Sequence, residues 1–129
     1  MDTENNTKLY NEIIDLLKTM NGYLKHFPRD EKYGIVLEIK QTGYQMLKLF
    51  IKCNKQYHNK TTKTELDINH EIFRAMTRLA FEMGYFEFKD GHHDTNCPKE
   101  TSSHRYKVLS LKIDNIGKRI GGWIKANPQ

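Results

Sequence analysis

Three rows of cationic side chains are the groups in this sequence best placed to do chemistry, and the chemistry they offer is contact with phosphate. Near the C-terminus Arg105, Lys112 and Arg119 follow one another at seven-residue intervals, flanked by Lys107, Lys118 and Lys125, with Asp114 the one acid from Thr101 onward. Lys48, Lys52 and Lys55 make a second row, and Arg74 with Arg78 continues a third that starts at His70. Spacings of three, four and seven residues put side chains on one face of a helix. Arginine presents a planar fork of donors that grips phosphate in two places, and lysine presents a compact point charge. Pairing within the helix competes for the third row, because Glu71 lies three residues before Arg74 and Glu82 four after Arg78.

Other chemistries find less support. The stretch from Asp90 to His104 holds His92, His93, Cys97 and His104, all side-chain types that bind zinc. Their spacing argues against a site: there is no Cys-x-x-Cys pair, adjacent histidines point in different directions, and Pro98 follows the thiol. The expectation is an exposed loop without metal. No glycine-rich phosphate loop and no Ser/His/Asp or Cys/His arrangement shares a face, and the carboxylates are scattered, so no catalytic residue and no cofactor is expected. Two cysteines are too few for a disulfide framework. No apolar run reaches the ~20 residues of a membrane span, and MDTENNTKLY lacks the basic and apolar regions of a signal peptide, which predicts a cytoplasmic protein.

The formal charge of +5 is unevenly spread. Residues 1–46 hold six basic and seven acidic side chains, whereas residues 47–129 hold fifteen and nine. A one-sided cationic surface draws polyanions and speeds association with them.

The element that must position the last row is also the most periodic. From Tyr106 to Lys125, apolar residues fall at Tyr106, Leu109, Ile113, Ile116, Ile120 and Trp123, spaced 3, 4, 3, 4, 3, the seam of a helix buried against other helices. Gly117 and Gly121 beside it cost an isolated helix about 1 kcal/mol each relative to alanine, so they imply close approach of a neighbouring backbone, within the bundle or from a second subunit. Trp123, closing the seam, is expected to be anchored.

Upstream, residues 1–6 are polar and expected to lie outside a first helix of about 7–26, buried through Leu9, Ile13, Leu16, Leu17, Met20, Leu24 and Phe27. Pro28 ends it, and Asp30 can cap a second helix of about 30–55 with a broad apolar face from Tyr33, Val36, Leu37, Ile39, Gly43, Tyr44, Met46, Leu47, Phe50 and Ile51. A third, about 64–89, is expected to bury Ile68, Ile72, Ala75, Met76, Leu79, Met83 and Phe86 and to expose His70, Arg74 and Arg78. A fourth runs about 104–126. Short links between amphipathic helices predict one all-α domain over residues 1–129, an up-down-up-down antiparallel four-helix bundle with little room for a catalytic cavity.

Two stretches, LKHFPRDEKYGIVLEIKQTGYQMLKLFIKCN from Leu24 to Asn54 and IDNIGKRIGGWIKAN from Ile113 to Asn127, resemble the accessory variability determinants (Avd) of diversity-generating retroelements. These four-helix-bundle proteins are related to those encoded in ribosomal RNA intervening sequences. The resemblance implies a homopentamer with a positive surface and no enzymatic activity of its own. It also implies binding to RNA and DNA and association with the retroelement reverse transcriptase during mutagenic copying. On that basis Lys48, Lys52, Lys55, Arg74, Arg78, Arg105, Lys107, Lys112, Lys118, Arg119 and Lys125 are the candidate nucleic-acid contacts, and Gly117, Gly121 and Trp123 the candidate packing or oligomer residues. An RNA-binding bundle of the intervening-sequence type, and a structural oligomer whose charge only keeps it in solution, are the rival expectations.

Overall fold

The computed structural model describes residues 3–91 and 97–126, which form four α-helices: α1 (Thr3–Leu24), α2 (Ile35–Lys55), α3 (Lys60–Glu82) and α4 (Pro98–Ala126), with one turn of 3-10 helix at Arg29–Glu31. Each helix packs on two neighbours, α1 and α3 both touching α2 and α4. Along α3 and α4 the contacts progress in opposite chain directions: His70 meets Ile113, and Arg78 lies over Tyr106. None of these helices is long and apolar enough to cross a membrane.

The seam of α4 is the spine of the core. Leu109, Ile113, Ile116, Ile120 and Trp123 are all buried, and Tyr106 sits at the edge, stacked on Phe81 with ring centroids 4.3 Å apart. The Trp123 ring meets Phe50 of α2 edge-on at 6.3 Å. From α1, Leu9, Ile13, Leu16, Leu17, Met20 and Leu24 are buried with Phe27 as the sequence pattern requires. Removing this apolar surface from water is the main force holding the helices together.

The helix ends differ from expectation for local chemical reasons. The first helix begins at Thr3, with a Glu4–Lys8 pair of 3.1 Å in its opening turns. The second begins at Ile35, after a separate 3-10 turn, and its N-terminus is met by Glu31 rather than Asp30: Glu31 Oε1 accepts from the Ile35 N–H at 3.5 Å. The third starts at Lys60 because the chain turns tightly after α2, where the Asn59 side-chain amide donates to the Cys53 carbonyl at 2.8 Å and the Thr62 hydroxyl to Gln56 Oε1 at 2.6 Å. It stops at Glu82, well before Lys89, because Gly84 has φ +78°. The Tyr85 N–H then reaches back to the Ala80 carbonyl and the Gly84 N–H to the Phe81 carbonyl, both at 3.0 Å, which closes the helix as a Schellman motif. The fourth starts at Pro98, where the missing N–H of proline leaves nothing unsatisfied, and the Cys97 carbonyl accepts from the amides of Glu100 and Thr101.

The largest departure is the rotation of α3. Its buried positions are Thr62, Lys63, Leu66, His70, Phe73, Thr77 and Ala80, while Ile68, Ile72, Leu79 and Met83 are exposed and Ala75 lies with them. The helix carries two seams at 3–4 spacing, and the one that contains Phe73 goes inward. Two of its polar members find partners there: the Thr77 hydroxyl donates to the Phe73 carbonyl at 2.8 Å, and His70, 1% exposed, donates from Nε2 to the Ile113 carbonyl of α4 at 2.7 Å, while its Nδ1 has no hydrogen-bond partner among the described residues. Likewise Tyr33, which precedes α2, and Leu37, Tyr44 and Ile51 on it are exposed rather than part of the apolar face.

The His70 ring also accounts for Gly117. A Cβ at position 117 would stand 2.8 Å from His70 Cε1, so the close approach implied by this glycine occurs between α3 and α4 within one chain. At Gly121 a Cβ would meet nothing within 4 Å. Gly117→Ala is therefore expected to lower stability in denaturant unfolding by about 1–3 kcal/mol through overpacking. Gly121→Ala should leave stability unchanged or raise it by up to about 1 kcal/mol through helix propensity. Equal effects of the two substitutions would contradict this packing.

Candidate nucleic-acid interface

The cationic rows divide into residues used inside the fold and residues left on its surface. Arg105 is 4% exposed. Its guanidinium donates to the Phe86 carbonyl at 2.9 Å and to that of Phe88, lies 3.4 Å from an Asp90 carboxylate oxygen, and stacks 3.8 Å from the Phe88 ring. It gives partners to the carbonyls of the extended segment that follows the Gly84 break, which is a structural task rather than a surface one. Lys112 pairs with Asp15, and Arg119 Nε donates to Glu12 Oε1 at 2.6 Å, so the seven-residue row on α4 is a set of ties to α1 and to the chain before α4.

Arg74 bonds Asp114 of α4 and Glu71 of its own helix, and its pKa is pushed up, chiefly by the hydrogen bond to Asp114. Arg78 pairs with Glu82 at 3.1 Å and sits 6.0 Å from the Tyr106 ring centroid. The row that the sequence put on an exposed face of α3 thus begins at a buried histidine and continues as contacts toward α4.

Lys48, Lys52, Lys55, Lys107, Lys118 and Lys125 are exposed and make no ion pair among the described residues. All but Lys107 belong to one end of the bundle. Residues 48–64 contain five lysines, Lys48, Lys52, Lys55, Lys60 and Lys63, and no acid; residues 115–126 add Lys118, Arg119 and Lys125, again without an acid. The fold joins these segments: the bonds from Asn59 to Cys53 and from Thr62 to Gln56 draw α2 and α3 together, and the Lys63 ammonium lies 5.0 Å from the centroid of the Trp123 ring near the end of α4. Spacing along single helices does not reveal this grouping or Lys60; the acid-free window from 48 to 64 is the signal in the sequence that does.

The electrostatics of this end do not serve folding alone. Lys52 and Lys55 in the last turn of α2 suit the negative end of that helix dipole. The first turn of α3 has no acid, and the exposed Lys60 there opposes the positive end of its dipole, a repulsion of about 0.3–1 kcal/mol. Cys53 lies near Lys63, buried, with its thiol pushed up to about 11 by desolvation, Lys63 pulling it down and Glu65 pushing it up. At the tip, Tyr57 is 86% exposed and meets His58 edge-to-face at 4.6 Å.

The opposite end has a different character. The Tyr85 hydroxyl donates to Glu31 Oε2 at 2.6 Å, which pushes its pKa up to about 12, and Asp30, Glu82, Glu87 and Asp90 are also carried by segments of that end. Among the described residues no three His, Cys, Asp or Glu side chains come together in a way that could hold a metal ion. His92 and His93 lie outside the described residues; Cys97 leads into α4 and His104 is exposed on it.

A family model described as bAvd-like matches residues 8–127, nearly the whole chain and all four helices. No curated protein and no solved structure matches the chain significantly.

Proposed function

This chain belongs to the bAvd-like family, and on that premise we propose that it is a non-catalytic cytoplasmic accessory protein of a diversity-generating retroelement, which binds RNA and DNA and the element's reverse transcriptase to support mutagenic copying of a template. The observation that carries the nucleic-acid part is the lysine-rich end of the bundle, where Lys48, Lys52, Lys55 and Lys60 stand exposed on a segment that itself holds no acid, with Lys118 and Lys125 near the end of α4. Exposed lysines gathered at one end meet successive phosphates and release their counterions, giving binding with little sequence preference. In this proposal the cations tied to acids, Arg74, Arg78, Lys112 and Arg119, contribute less, and Arg105 holds the fold.

A salt titration separates the two groups. A triple variant Lys52→Ala, Lys55→Ala, Lys60→Ala is expected to lower affinity for RNA and DNA of any sequence and to reduce the log-log salt slope by roughly 2 to 2.7, at about 0.7–0.9 per lost contact. A triple variant Arg74→Ala, Arg78→Ala, Arg119→Ala, with helicity checked by circular dichroism, should change the slope less. The reverse order would overturn the assignment, and absence of binding by the parent protein would overturn the function.

The same proposal includes assembly into a homopentamer in which copies meet through α3. What supports this is the exposed line of Ile68, Ile72, Leu79 and Met83, apolar positions at helical spacing that the single chain leaves uncovered. Placing a charge there, as in Leu79→Glu, should reduce the mass measured by light scattering while helicity persists. A parent protein that is monomeric, or a variant of unchanged mass, would contradict it.

A further inference from the structure

We infer that Tyr57, at the tip of the basic end, is a stacking platform for an unpaired base, so that single-stranded nucleic acid is the preferred ligand of this surface. The inference rests on the nucleic-acid binding proposed above and adds the conformation of the ligand and the residue that selects it.

Tyr57 is 86% exposed in the short link between α2 and α3, among Gln56, His58 and Asn59, so its phenol contributes almost nothing to the core. A ring so placed is free to meet a ligand, and its charged setting decides which one. The edge-to-face contact with His58 orients the phenol within the loop. On either side the chain supplies cations: Lys52 and Lys55 from the last turn of α2, Lys60 from the first turn of α3. An exposed aromatic ring bracketed by lysines matches the two needs of an unpaired strand, a flat apolar surface for a base and positive charge for the phosphates beside it. A duplex hides its base faces in the stack and could use only the lysines. A protein partner is a poorer match, because the loop presents one ring among polar neighbours and no apolar patch around it.

Tyr33 provides an internal comparison. It is 80% exposed and the Lys32 ammonium lies 5.4 Å from its ring centroid, but it follows Asp30 and Glu31 at the opposite end of the bundle. Exposure and ring type are shared, while the charge beside the ring is balanced, Arg29 and Lys32 standing with Asp30 and Glu31. Tyr33 should therefore take no part.

The experiment measures affinity for a single-stranded RNA oligonucleotide and for a duplex of similar charge, using the parent protein and the Tyr57→Ala, Tyr57→Phe and Tyr33→Ala variants. Loss of a stacked base weakens binding by roughly 5- to 150-fold. Tyr57→Ala is expected to show such a loss for the single strand, with the salt slope unchanged because no phosphate contact is removed. Its duplex affinity should be nearly unaffected. Tyr57→Phe should retain single-strand binding and Tyr33→Ala should behave as the parent. If Tyr57→Ala binds the single strand as tightly as the parent does, or weakens single strand and duplex alike, the stacking role is wrong while the lysine surface stands. If the parent binds neither ligand, the proposed function fails along with it.

Discussion

The contact between His70 and α4 is the constraint on which the arrangement of this bundle depends. A histidine can be buried in a helix interface only if its ring finds a partner, and here Nε2 donates to the Ile113 carbonyl at 2.7 Å. The ring fits there because position 117, one turn further along α4, carries no side chain. That pairing sets the rotation of α3. With His70 inward, Leu66, Phe73, Thr77 and Ala80 follow it into the core, and Ile68, Ile72, Leu79 and Met83 must face out. Arg74, four residues after His70, is then directed at Asp114 of α4.

The same rotation decides which charges remain for a ligand. Arginine and lysine residues along α3 and α4 are drawn toward acids on neighbouring helices: Arg74 to Asp114, Lys112 to Asp15, Arg119 to Glu12. Partly exposed ties of this kind contribute little to stability, on the order of 0–1 kcal/mol each. They nevertheless neutralise the sides of the bundle. Where α2 turns into α3, residues 48–64 contain five lysines and no acid, and Lys48, Lys52, Lys55 and Lys60 stand exposed. The two ends thus differ: the one around Tyr57 and Trp123 is rich in lysine, while the other mixes Asp30, Glu31, Glu87 and Asp90 with Lys25, Arg29, Lys32 and Lys89.

How much of this was legible in the sequence depends on whether a segment offered one amphipathic solution or two. The α4 seam from Leu109 to Trp123 and the α1 positions from Leu9 to Phe27 have a single apolar face, and both are buried as their spacing demands. Helix α3 has two, and counting apolar residues favours the wrong one: Thr62, His70 and Thr77 score as polar although each finds a hydrogen-bond partner inside. The ends of α3 and α4 were readable in Gly84 and Pro98, but the apolar rhythm continuing through Met83 and Phe86 masked the glycine stop. The period of seven linking Arg105, Lys112 and Arg119 resembled a solvent face. Long basic side chains flanking a seam reach acids and carbonyls next to the core as readily as they reach water. A family resemblance carried by the phenylalanine-proline turn and the closing IGGWIK pointed to the right family without marking which cations are free.

Lysine footprinting tests most directly the claim that one end of the bundle, rather than its sides, meets nucleic acid. Acylation of the intact protein, with and without a single-stranded RNA oligonucleotide and read by mass spectrometry, reports every lysine at once. The account predicts that Lys48, Lys52, Lys55, Lys60, Lys118 and Lys125 become protected while Lys25, Lys32 and Lys89, exposed at the other end, react as before. Protection centred on Lys25, Lys32 and Lys89, or spread evenly over the surface, would contradict it.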